Sequence, residues 1–87
     1  MISIYRHRIF TKQSKKLPKK VKEKFEQKLM VFISDAYSFE LNNHQLTVEW
    51  LGHRSIDITG DIRAIYIEDS GIIIFKAIGT HSQLYEK

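Results

Sequence analysis

The chain has 87 residues, no cysteine and a formal net charge of +4. That is enough for one domain over residues 1–87 with a modest core, and it excludes a disulfide framework and a thiolate metal site. No apolar run approaches the ~20 residues of a membrane span, and the basic start has no apolar stretch behind it, so the expectation is no membrane, no secretory signal and a cytoplasmic home.

In chain order, the alternation from Ile2 to Arg8 predicts a first strand. Thr11 suits the N-cap of a short helix over Lys12 to Leu17, and Pro18 suits the first turn of a second. Leu17, Val21, Phe25, Leu29, Phe32 and Ile33 then recur at helical spacing, and the helix should fade between Ser34 and Ser38. The two helices form a hairpin or one bent helix. Ten of the fourteen basic residues lie between Arg6 and Lys28, opposed only by Glu23 and Glu26. That segment carries +8 and the remainder −4. Such a half fits a polyanion or an acidic protein partner, although a solvated lysine-rich helix face explains the same charge.

Asn42-Asn43 is turn chemistry, and Leu46, Val48 and Trp50 alternate as a strand that Gly52 breaks. Arg54 to Ile58, Ile62 to Ile67 and Ile72 to Ile78 read as three more strands, the last central because it is apolar almost throughout. A three-residue loop over Thr59-Gly60-Asp61 pairs Ile58 with Ile62 and sets Asp57 opposite Arg63; a two-residue loop would bury that arginine. A four-residue loop over Glu68 to Gly71 pairs Arg63 with Lys76. Helices should cover the face of Ile56, Ile58, Ile62, Ala64, Tyr66, Ile73, Phe75 and Ala77. The other face, with Asp57, Arg63 and Lys76 among Ile65, Ile67, Ile72 and Ile74, is half apolar, which suits a covering partner protein or a dimer mate. The fold class is α+β, with two N-terminal helices on one face of a mainly antiparallel sheet of four to five strands.

The last third is dense in functional groups: Arg54, Asp57, Asp61, Arg63, His81 and Tyr85 interrupt strand-like text. With Phe10…Lys15-Lys16-Leu17-Pro18, Asn43-His44-x-Leu46, Gly52-x-Arg54-Ser55-Ile56, Gly60-Asp61-Ile62-Arg63-x-Ile65-Tyr66 and Ile78-Gly79-Thr80-His81-x-x-Leu84-Tyr85, the whole chain resembles toxins of the RelE/ParE superfamily. It is most similar to the YafQ-like ribosome-dependent mRNA interferases of bacterial toxin–antitoxin pairs. The resemblance implies a RelE-like fold, a cognate antitoxin, mRNA and ribosomal RNA as partners, and no cofactor. A heterotetramer with the antitoxin is one assembly open to it.

By position, His81 matches the principal catalytic histidine, His44 a second functional histidine, and Asp61 an assisting aspartate. Arg63 matches the arginine on the scissile phosphate, and Tyr85 an aromatic near the nucleophile. Three positions depart from the pattern. Asp57 stands where YafQ-like toxins carry a middle histidine, Val48 stands where a glycine is usual, and Ser55 and Asp57 replace the RelE-type lysines.

Cleavage at a ribose 2′-hydroxyl needs a base, an acid for the leaving 5′-oxygen and positive charge at the phosphate. Histidine serves as acid or base near neutral pH, and arginine presents a planar fork. His81 is the expected acid, His44 or Asp61 the base or orienter, Arg63 the phosphate ligand, and Tyr85 a stacking or proton-relaying group. Arg54, Lys76, Lys15, Lys16 and Lys19 are candidate substrate contacts through the RNA backbone. Each has a plainer reading: strand cap for His81, loop residue for His44, loop bonding for Asp61, a salt bridge to Asp57 for Arg63, and packing for Tyr85. His7 and His53 read as surface residues, and Trp50 is expected to pack. His44, Asp57, Asp61 and His81 are metal-ligand types, but their spacing fits no metal pattern. The alternative functions are a non-enzymatic ParE-like gyrase inhibitor, against which His81 argues, and an inactive RNA-binding relative.

Overall fold

The computed structural model describes residues 2–85. Its elements are β1 (Ser3–Arg6), α1 (Arg8–Lys15), α2 (Lys19–Ser34), β2 (His44–Gln45), β3 (Arg54–Asp57), β4 (Ile62–Asp69), β5 (Ile72–Thr80) and α3 (His81–Tyr85). Short 3₁₀ turns span Phe39–Leu41 and Val48–Trp50. One sheet runs in the order β1-β5-β4-β3-β2, with β1 parallel to β5 and every other pair antiparallel. The architecture is the α+β arrangement expected, and β5 is an interior strand as its apolar text implies.

Helix α1 begins earlier than expected. His7, not Thr11, is its N-cap, and its Nδ1 accepts from the Ile9 N–H at 3.1 Å. Pro18 caps α2, whose backbone bonds start from the Pro18 carbonyl. Phe25, Leu29 and Phe32 are buried on the expected stripe, whereas Ile33 is half exposed. They meet Phe10 and Phe75 in a cluster of rings, with Phe10–Phe25 at 5.2 Å and Phe25–Phe75 edge-on at 5.4 Å. This core also holds Ile56, Ile58, Ile62, Ala64, Tyr66, Ile73 and Ile78.

The β3–β4 register is the one expected, with Asp57 opposite Arg63 and Ile56 opposite Ala64. Thr59 ties the loop, since its hydroxyl accepts from the Asp61 and Ile62 N–H groups at 3.2 and 3.0 Å. The β4–β5 register differs. The hairpin turns over Ser70 and Gly71 alone, at φ 53° and 82°, both left-handed, which matches strand twist better than a four-residue loop. A bulge at Lys76 then shifts the ladder, so Arg63 faces Gly79 rather than Lys76. The bulge also moves Ala77 off the helix-covered face, where Ile78 replaces it.

The second face also differs from the expectation. Only His44–Gln45 pairs as strand there, and Val48–Trp50 coils into a tight turn with Trp50 N–H on the Thr47 carbonyl at 3.3 Å. Leu46 and Trp50 thus both turn inward without a strand between them. They join Ile65, Ala77, Leu84 and Tyr85 in a second cluster, so the chain itself covers much of the face assigned to a partner.

Candidate active site

Helix α3 is the element that the apolar text before it does not announce. Its first turn closes by reciprocal bonds: Gln83 N–H donates to Thr80 Oγ1 at 3.2 Å, and Thr80 N–H donates to Gln83 Oε1 at 2.9 Å. This is a capping box, and Thr80-x-x-Gln83 was the sequence signal for it. At its other end the Leu84 carbonyl accepts the Trp50 indole N–H at 2.9 Å. His81 and Tyr85 fall one turn apart on one face, with ring centroids 4.6 Å apart and planes at 50°.

His44 opens β2, opposite Ser55. Its Nδ1 lies 2.8 Å from the Asn42 carbonyl. A carbonyl only accepts, so Nδ1 carries the proton and Nε2 of the neutral ring keeps its lone pair. Asn42 sits at φ 48°, a left-handed conformation that asparagine tolerates. Its side-chain amide donates to Asp57 Oδ2 at 3.2 Å, and Asp57 Oδ1 lies 3.5 Å from Arg63 Nε.

His44, Arg63, His81 and Tyr85 line one open cleft of about 500 Å³, with Asn42, Gln45, Leu46 and Thr47 on its walls. Four residues separated by up to 41 positions in the chain therefore share one surface. Asp61 stands apart, in an adjoining cleft of about 260 Å³ with Gly60, Thr80 and Ser82. Arg63 and His81 line both clefts and form the ridge between them.

The other cations lie elsewhere. Arg54 is in the row of Tyr66 on the helix side of the sheet, its Nε donating to Asn43 Oδ1 at 2.7 Å and its guanidinium 5.2 Å from the Tyr37 ring centre. Lys76 is the bulged residue of β5. Lys16 lines a cleft with Gln13, Leu17, Ile78 and Gln83, and Lys15 one with Arg6, Thr11, Ser14 and Lys22. Lys19 opens α2 and lines none of these clefts. Lys15, Lys16 and Lys19 thus lie on or beside the helices, and none of these lysines lines the histidine cleft.

Asn43 does more than turn the chain. Its Nδ2 donates to the Ala36 carbonyl and to Tyr66 Oη, both at 2.7 Å, while Oδ1 accepts from Arg54. It pins the loop that carries His44 to the helix end and to the sheet. Burial pushes the Tyr66 phenol above its ordinary 10.0, with the Asn43 bond acting in the opposite sense. Two histidines have structural work: His7 caps α1, and the His53 ring packs edge-on to Trp50 at 5.2 Å. Among the described residues no three His, Asp or Glu side chains are grouped to hold a metal ion. No helix among them is long and apolar enough to cross a membrane.

The sequence model of one family, described as bacterial toxin of type II toxin–antitoxin system, YafQ, matches residues 2–86. No curated protein sequence matches. The crystal structure of YafQ from E. coli strain BL21(DE3) superposes with a TM-score of 0.81 at 22% identity, covering 98% of this chain and 99% of that one. A crystal structure of the E. coli DinJ–YafQ complex gives 0.77 at 21%, with 98% and 99% covered. The heterotetrameric YoeB–YefM toxin–antitoxin complex from Staphylococcus aureus gives 0.74 at 19%, with 93% and 98% covered. At such identities these likenesses are of fold.

Proposed function

The chain belongs to the YafQ family of toxins from bacterial type II toxin–antitoxin systems, and from that membership we propose that it is an endoribonuclease that cleaves mRNA on the ribosome. The observation that carries the reading is the convergence of His44, Arg63, His81 and Tyr85 on one cleft. The DinJ–YafQ and YoeB–YefM structures are complexes with antitoxins, which supports a cognate antitoxin for this toxin too.

The steps follow from the groups. His44 Nε2 takes the proton of the ribose 2′-hydroxyl, a role its tautomer suits because Nδ1 is already donating. The 2′-oxygen attacks phosphorus and the bond to the 5′-oxygen breaks, leaving a 2′,3′-cyclic phosphate. His81 gives its proton to the departing 5′-oxygen. Arg63, on the ridge between the clefts, holds the non-bridging oxygens as charge builds. Tyr85 offers its ring to a base beside the scissile bond, and Asp61 acts from the adjoining cleft. Lys15 of α1, Lys16 just after it and Lys19 of α2 contact ribosomal RNA away from the chemistry, with the salt dependence that phosphate contacts impose. The toxin works in the cytoplasm, where its substrate is.

Primer extension on cellular mRNA after brief induction tests this. Wild-type toxin should produce cuts at defined codon positions that His81→Ala abolishes. Cuts that persist in the variant would remove the acid role from His81. Growth arrest without cuts would favour a gyrase-directed activity, and neither cuts nor arrest would leave an RNA-binding relative.

A further inference from the structure

Asp57 sits beside the cleft without offering it a free carboxylate. Its Oδ1 is sealed from solvent and lies 3.5 Å from Arg63 Nε. Its Oδ2 accepts from the Asn42 amide at 3.2 Å. With one oxygen shut away and the other occupied, this carboxylate is poorly placed to move a substrate proton. A cross-strand ion pair alone would explain the first contact, but not the second. Asn42 holds a left-handed backbone and presents its carbonyl to His44 Nδ1 at 2.8 Å. One carboxylate therefore touches the phosphate-binding cation on one side and, through a single residue, the imidazole on the other. The Asp57 and Arg63 side chains are each roughly one-third exposed or less, where an ion pair adds little stability, so its use is in orientation.

We propose that Asp57 is a positioning residue: through Asn42 it fixes the His44 ring with its proton on Nδ1, and through the same carboxylate it aims Arg63. What that geometry serves rests on the endoribonuclease reading, but the geometry can be measured without RNA. Imidazole ¹⁵N–¹H spectra of the labelled toxin, with the His44 signal assigned from His44→Gln, report the tautomer of the neutral ring. Wild type should hold His44 mainly as the Nδ1–H form. Asp57→Ala should shift the ratio towards Nε2–H by about fivefold, the worth of one ordinary hydrogen bond. Asn42→Gly keeps the left-handed backbone, removes the amide and should produce the same shift. It also decides the matter if Asp57→Ala does not fold. On programmed ribosomes, turnover by Asp57→Ala should fall about tenfold or more, while KM changes less. An unchanged tautomer ratio in the folded variants would overturn the proposal. A shifted ratio in a toxin that leaves mRNA intact would retain the positioning role and reject the endoribonuclease reading.

Discussion

Thr80 and Gln83 cap one another across the first turn of α3, each backbone N–H reaching the other's side chain at 2.9 and 3.2 Å. This pair fixes the first turn, where His81 sits, because a helix of five residues is too short to hold that turn by its own backbone bonds. Gln83→Ala should cost about 1 kcal/mol in urea unfolding. It should lower RNA cleavage by more than that loss of folded protein explains. Gly79 belongs to the same device, since a Cβ there would lie 2.7 Å from Gln83 Oε1. Gly79→Ala should displace Gln83 and reproduce the Gln83→Ala defect.

The Tyr85 ring, rather than its hydroxyl, is expected to matter most, given its close, tilted contact with the His81 ring. Tyr85→Phe should retain most cleavage, whereas Tyr85→Ala should lose about 1–3 kcal/mol of transition-state binding, the usual worth of a base–aromatic stack. Single-turnover cleavage of a bound message separates the two. Equal losses in both variants would assign the role to the hydroxyl.

Val48 adopts φ 55° although it is branched at Cβ and almost fully exposed. The left-handed region costs such a residue about 1–2 kcal/mol, part of which the entropy of a glycine offsets. Val48→Gly should therefore raise stability by about 1 kcal/mol, read as a higher urea midpoint at constant slope. A lower midpoint would mean that the valine side chain contributes contacts which outweigh its strain.

Asn43→Ala removes three bonds at once and leaves the Tyr66 hydroxyl and the Arg54 Nε without them. The expected loss is about 2–3 kcal/mol of unfolding free energy. Cleavage should drop as well, because His44 is the next residue in the loop. Circular dichroism melts alongside cleavage assays would check both.

Tyr66 gives a pH signature. Its folded value is raised above 10.0 by burial, so the folded state holds the phenolic proton more tightly than the unfolded chain does. Stability is fully present below the unfolded value and falls as pH rises from about 10 through the higher folded one. Unfolding midpoints measured across that alkaline range should slope less steeply in Tyr66→Phe than in wild type. Parallel slopes would assign the alkaline loss to other groups.

Local period and turn chemistry were enough to read the helical stripe through Phe25, Leu29 and Phe32, the strand text of β3 to β5, and the Thr59-Gly60-Asp61 loop that faces Asp57 to Arg63. Each of these is decided by neighbours within a few residues, where burying an arginine or an apolar face penalises the wrong register. Of the positions matched to the toxin family, His44, Arg63, His81 and Tyr85 line one cleft in the fold and Asp61 lines the next. What the tertiary structure alone decided is non-local. The bulge at Lys76 moved Arg63 opposite Gly79 and turned Ala77 to the second face, and such a shift has no periodic trace. Trp50 left the strand pattern because its indole N–H finds the carbonyl of Leu84, 34 residues away. The same holds for the Asn42–Asp57 bond, which joins His44's loop to the end of β3, opposite Arg63 on β4. Hydrogen bonds between distant segments form only once the sheet has brought those segments together, so they leave no periodic mark along the chain.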